Sequence, residues 1–149
     1  MKVRLGVSLM KKTFQPEFFR NRSGATAVEF SLVLPLLMAI LMGCIEFGLI
    51  IFSFNSVQNA TRDTIRQIAT NRITIEQAST TINSNVPAWL SNKITVSVSQ
   101  TSPTDASTNQ ITLFSQFSAT SGSPTSFLGW AYSTLTLKTQ VAMQQEQKV

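Results

Sequence analysis

The sequence predicts an α+β chain. A long N-terminal transmembrane helix continues into an amphipathic helix and packs on a small antiparallel sheet of about three strands. Three observations carry this. Residues 25–54 are almost wholly apolar, residues 55 to about 86 repeat apolar positions at helical spacing, and residues 93–143 alternate with a period of two. About 95 residues remain beyond the basic head and the apolar stretch, enough for one small domain.

The apolar element comes first. Sixteen uncharged residues, FSLVLPLLMAILMGCI, separate Glu29 from Glu46, and LIIFSF follows. Val28 to Phe54 is 27 residues, roughly 40 Å of helix against a hydrocarbon core of about 30 Å. Tilt absorbs part of the excess, or protein covers the outer end. Pro35 cannot donate to the Ser31 carbonyl and is expected to kink the helix. Its orientation follows from charge. Up to Gly24 there are six basic residues and one acid, whereas the remainder carries six of each. Basic residues beside a membrane segment stay cytoplasmic. Residues 1–24 therefore read as a basic cytoplasmic leader, 25–54 as the transmembrane helix and 55–149 as an exported, periplasmic domain.

The helix is expected to continue through NSVQNATRDTIRQIATNR, which lacks Gly and Pro. Val57, Ala60, Thr64, Ile65 and Ile68 share one arc, with Asn59, Arg62, Asp63 and Arg66 opposite. A shorter helix is predicted over residues 73–86. Thr74 and Gln77 match a capping box, Ile75, Ala78, Ile82 and Val86 share a face, and Pro87 ends it. KITVSVSQ, QITLFSQF and STLTLKTQVAM then read as three strands, with Leu135, Leu137, Val141 and Met143 on one side of the last. Trp89, Phe127 and Trp130 are expected to close the edges of the core.

Composition narrows the chemistry. There is no histidine and one cysteine, Cys44, inside the apolar run, where a thiol packs as a small hydrophobe. No nucleophile–base pair or metal spacing can be built, so the chain reads as a non-enzyme with no cofactor, no metal and no small-molecule substrate. With its net charge of +5 confined to the head, the rest presents no basic face for nucleic acid.

Two acids in an apolar segment require a reason, because a mid-bilayer carboxylate costs roughly 2.5–3.5 kcal/mol. Suppose a membrane protease cuts between Gly24 and Ala25. Glu29 is then the fifth residue of the new chain. Its carboxylate and the new ammonium can neutralise each other, within a chain or between neighbours in one register. The simpler reading places Glu29 in the headgroups, ~6 Å from the helix start and favoured by the helix dipole.

The stretch GATAVEFSLVLPLLMAILMGCIEFG resembles the TadE-like minor pseudopilins of the tight-adherence (Tad/Flp-type) pilus system. The matching elements are Gly24, Glu29–Phe30, Leu34–Pro35 and Gly43–Cys44–Ile45–Glu46–Phe47–Gly48, with NATRDTIRQIAT downstream, over roughly residues 22–72. The resemblance implies a prepilin peptidase substrate of the bacterial inner membrane, cut after Gly24, with Glu29 and Phe30 serving assembly. It implies as partners the membrane, the prepilin peptidase, other pseudopilins and the pilus assembly machinery, in biogenesis of a pilus used for surface adhesion. Phe30 stands where major pilins of this system usually carry tyrosine, which fits the minor branch.

Glu46 is left with two readings. It lies 17 residues after Glu29, about 100° away around the helix, so the acids do not form one site. Either it contacts a neighbouring subunit or assembly protein, or it marks the outer interface, with LIIFSF packed on the exported domain. Two rival functions also stand. One is a membrane-anchored periplasmic binding module outside any filament. The other is a lipoprotein modified at Cys44, since Leu41–Met42–Gly43–Cys44 resembles a lipoprotein box.

Overall fold

The structure is a computed structural model that describes residues 22–147; the basic leader up to residue 21 lies outside the described residues. Helix α1 runs Arg22–Ala69, 48 residues with Pro35 inside. The chain divides after Met38 into two compact units. In the first, the helix from Gly24 is exposed along nearly its whole length, with Leu32 at 75% and Leu36 at 64%. From Gly24 onward α1 is long and apolar enough to cross a membrane, and a folded domain follows it, the arrangement of a single-pass membrane protein.

The second unit holds the rest of α1, helix α2 (Ala78–Ser84) and strands β1 (Thr95–Gln100), β2 (Gln110–Ser118) and β3 (Thr136–Gln144). The strands form an open antiparallel sheet in the order β1-β2-β3. The α+β class and the three strands are as the sequence predicts. Register puts Val98 beside Leu113 and Leu113 beside Val141, so these apolar residues share one face, while Phe114 lies exposed on the other. That face meets Val57, Ala60, Ile65 and Ile68 of α1, with Ile82, Leu90 and Ile94 completing the core. Arg62, Asp63 and Arg66 are exposed, as the helical period requires.

Helix α1 stops at Asn71, whose φ of 58° turns the chain left-handed while its amide donates to the Ile68 carbonyl at 2.9 Å. The chain's end returns here. The Glu146 amide donates to the Ala69 carbonyl, and Gln145 Nε2 donates to Asn71 Oδ1.

Three expectations need correction. Helix α2 starts at Ala78, because residues 74–77 form a turn first: the Thr74 amide donates to Gln77 Oε1 and the Gln77 amide to the Thr74 carbonyl. Leu135 precedes β3 and is exposed. Met143 pairs with the buried Ile111 and so keeps the expected side of β3, exposed at the strand's end. Trp89 does pack on the core, but Phe127 and Trp130 do not close it; they are 54% and 81% exposed.

Candidate functional site

Two clusters of site residues were expected on α1. At its N-terminal end Gly24, Ala25 and Glu29 are exposed, and Phe30 is 60% exposed. Pro35 sits within the unbroken helical assignment. One turn before it, Ser31 Oγ donates to the Val28 carbonyl at 2.7 Å, the local bond by which serine often bends a helix. Glu29 and Phe30 thus offer their side chains outward from the helix.

Glu46 is different. It is 1% exposed. The connection between β2 and β3, residues 119–135, folds over it. This connection contains two short 3-10 turns, Ala119–Ser121 and Gly129–Ala131. The Leu128 amide donates to Glu46 Oε2 at 2.6 Å, and the Tyr132 hydroxyl donates to Glu46 Oε1. Both donors are neutral, so the carboxylate is satisfied by hydrogen bonds within its own chain. Burial, then the hydrogen bond to Glu46 and that residue's charge, push the Tyr132 phenol up to about 12.

The surrounding motif fits the same contact. A Cβ on Gly43 would lie 3.4 Å from Leu128 Cδ1, an ordinary contact, so Leu128 packs beside the helix at this position. Phe47 meets Tyr132 with ring centroids 6.1 Å apart and tilted by 52°. Gly43–Cys44–Ile45–Glu46–Phe47 therefore supplies a contact surface, an acceptor and a ring to the returning connection.

The contact continues up the helix. Gly43, Glu46, Ile50, Ser53, Val57, Ala60 and Thr64 are all buried and alternate steps of three and four residues, which keeps them on one face. Ile50 packs with Ala119 and Tyr132. Ser53 Oγ donates to the Gly122 carbonyl at 2.6 Å and accepts from Trp89 Nε1 at 3.2 Å. A Cβ on Gly122 would lie 3.1 Å from Phe117 Cε2 and 3.5 Å from Ile50 Cα, so the connection's backbone rests directly on the helix. Thr61 Oγ1 lies 2.9 Å from Ser115 Oγ on β2. Thr64 Oγ1 is the one buried side-chain polar atom without a partner among the described residues.

Of LIIFSF, Ile50 and Ser53 are buried, whereas Ile51 and Phe52 are exposed. Cys44 is free and exposed. Among the described residues no three His, Cys, Asp or Glu side chains are grouped to hold a metal ion. Sequence reasoning singled out Glu46 but missed Leu128, Tyr132, Gly122 and Ser53. The one available signal was that Tyr132 is the only tyrosine in the chain.

Comparison with the curated proteins and with the solved structures returns no match. The family model of TadE-like proteins does match, over residues 24–66. That interval lies wholly within α1 and includes both the outward-facing Glu29 and the buried Glu46. Along this segment, the chain is similar to TadE-like proteins.

Proposed function

We propose that the chain is a minor pseudopilin contributing to biogenesis of a Tad/Flp-type pilus used in surface adhesion. The TadE-like match on a helix with an exposed apolar surface carries this reading. The leader, residues 1–24, stays cytoplasmic at the bacterial inner membrane, and a prepilin peptidase cuts between Gly24 and Ala25. The helix then crosses the bilayer, and the domain lies on the periplasmic side. Val28, Leu32, Val33, Leu36 and Ile40 each expose more than half of their surface. Such a surface requires lipid before assembly and other pseudopilin helices within a filament.

Glu29 and Phe30 serve assembly directly, with the Glu29 carboxylate facing the new Ala25 ammonium of its own chain or a neighbour. Glu46 serves it indirectly, by fixing the domain's long connection to the helix. The protein works with the pilus assembly machinery and performs no catalysis of its own.

Intact-mass measurement of the mature protein tests the processing. A chain beginning at Ala25 is expected. An uncut chain would support a membrane-anchored periplasmic module, and a lipidated Cys44 a lipoprotein. Glu29→Ala should leave insertion and cleavage intact while reducing piliation. Normal piliation in that variant would remove the role given to Glu29.

A further inference from the structure

We propose that the connection between β2 and β3 is a second membrane contact, seating Phe127 and Trp130 among the lipid headgroups of the outer leaflet. This rests on the membrane-spanning reading of α1. The occupant is a lipid surface, and three observations specify it.

The first is depth. A hydrocarbon core takes about 20 residues of helix. Counted from Gly24, the helix leaves that core near residue 43; counted from Glu29, it leaves near residue 48. The connection is pinned within that interval, by Leu128 at Gly43 and by the Leu128 and Tyr132 bonds to Glu46. Counted from Gly24, the loop meets the helix where hydrocarbon gives way to headgroups; counted from Glu29, it meets it about 3–8 Å inside that boundary.

The second is chemistry. No charged residue lies between Asp105 and Lys138. The connection nevertheless exposes two large aromatics, Trp130 at 81% and Phe127 at 54%. Tryptophan concentrates at membrane interfaces because its ring is apolar and its N–H needs a polar partner.

The third is continuity. On the same stretch of α1, Ile45, Phe47, Ile51 and Phe52 are each about half exposed. Docking of the domain on one helical face leaves this apolar surface uncovered beside the loop, adjoining the segment that crosses the bilayer. Lipid covers both without a second partner.

Depth-dependent fluorescence quenching tests the proposal on the full chain, reconstituted in vesicles of phosphatidylcholine and phosphatidylglycerol. Trp89→Phe leaves Trp130 as the reporter. A Trp89→Phe/Trp130→Phe/Leu37→Trp chain reports the middle of α1. Trp130 should lose more emission to phosphatidylcholines brominated near the headgroup than to those brominated near the chain ends. Position 37 should show the opposite order.

Quenching at position 37 but none at Trp130 would overturn the loop contact and leave the spanning helix standing. If Trp130 were then shielded from aqueous acrylamide, a protein surface would be its cover. Quenching at neither position would overturn both readings. Should Trp89→Phe fail to fold, the same measurement is made on the natural chain and on Trp130→Phe, and their difference reports Trp130.

Discussion

Removing the Glu46 carboxylate should release the connection over residues 119–135 while sparing the sheet. In Glu46→Ala the Leu128 amide and the Tyr132 hydroxyl both lose their acceptor. Hydrogen bonds to a charged group contribute about 1.5–3 kcal/mol each. Rehydration of the freed donors offsets part of the loss, leaving a cost of about 3–5 kcal/mol for keeping the connection closed. Every 1.4 kcal/mol is tenfold, so opening should become about two to four powers of ten more frequent. Hydrogen exchange by mass spectrometry on the full chain in detergent reads this directly. Peptides covering 123–132 should exchange faster, while peptides covering 111–117, in the core of β2, stay protected. Tyr132→Phe removes one bond and should cost about 1.5–3 kcal/mol. The double variant should cost less than the sum of the two, since both act on one interaction. Unchanged exchange at 123–132 in Glu46→Ala would refute the reasoning. Equal acceleration across 111–117 would also refute it, by making Glu46 a support of the whole domain.

Alkaline pH offers an independent probe. Tyr132 is the only tyrosine, and its phenol is raised from 10.0 to about 12 in the folded chain. A raised folded value contributes stability below pH 10 that is lost as pH climbs towards 12, by about 3 kcal/mol in all. Tyrosinate absorbance should therefore rise late in native protein and near pH 10 in denaturant. Gly122→Ala should destabilise by about 1–3 kcal/mol in urea unfolding, because the added carbon crowds Phe117 and the Ala119 carbonyl. Ile65→Ala, at 0% exposure in the core, should cost about 2–5 kcal/mol in the same assay. Arg62→Ala, on the exposed face, should change it by less than about 0.5 kcal/mol.

The parts legible in the sequence were those where polarity alternates with burial. Val57, Ala60, Thr64, Ile65 and Ile68 stand out because Arg62, Asp63 and Arg66 occupy the opposite face. The strands stand out because Thr95, Ser97 and Ser99 interleave with Val96 and Val98. Gly43, Ile50 and Ser53 continue the same buried face, yet their neighbours Ile45, Ile51 and Phe52 are just as apolar. A pattern of burial carries no contrast where both faces are oily. The partners of Glu46 were hidden for another reason: they lie 82 and 86 residues away, and no local period connects them. Phe127 and Trp130 were misread because bulk and apolarity suggest a core. Their surroundings face outward instead, with Ser126 at a φ of 46° just before Phe127. Glu29 is singled out only by its spacing from Gly24, and among the described residues the fold adds no contact to it beyond its exposure.

The bond between Glu46 and Leu128 also imposes an order in time. Synthesis runs from the N-terminus, so Glu46 exists for 82 residues before the amide that will satisfy it. Throughout that interval the C-terminal half of α1 carries an uncovered carboxylate. The sheet's first hairpin, β1 with β2, is complete before Leu128 is made. Closure over Glu46 therefore waits for residues 128–132, and a chain that stops short of Leu128 carries a helix whose acid has never been claimed.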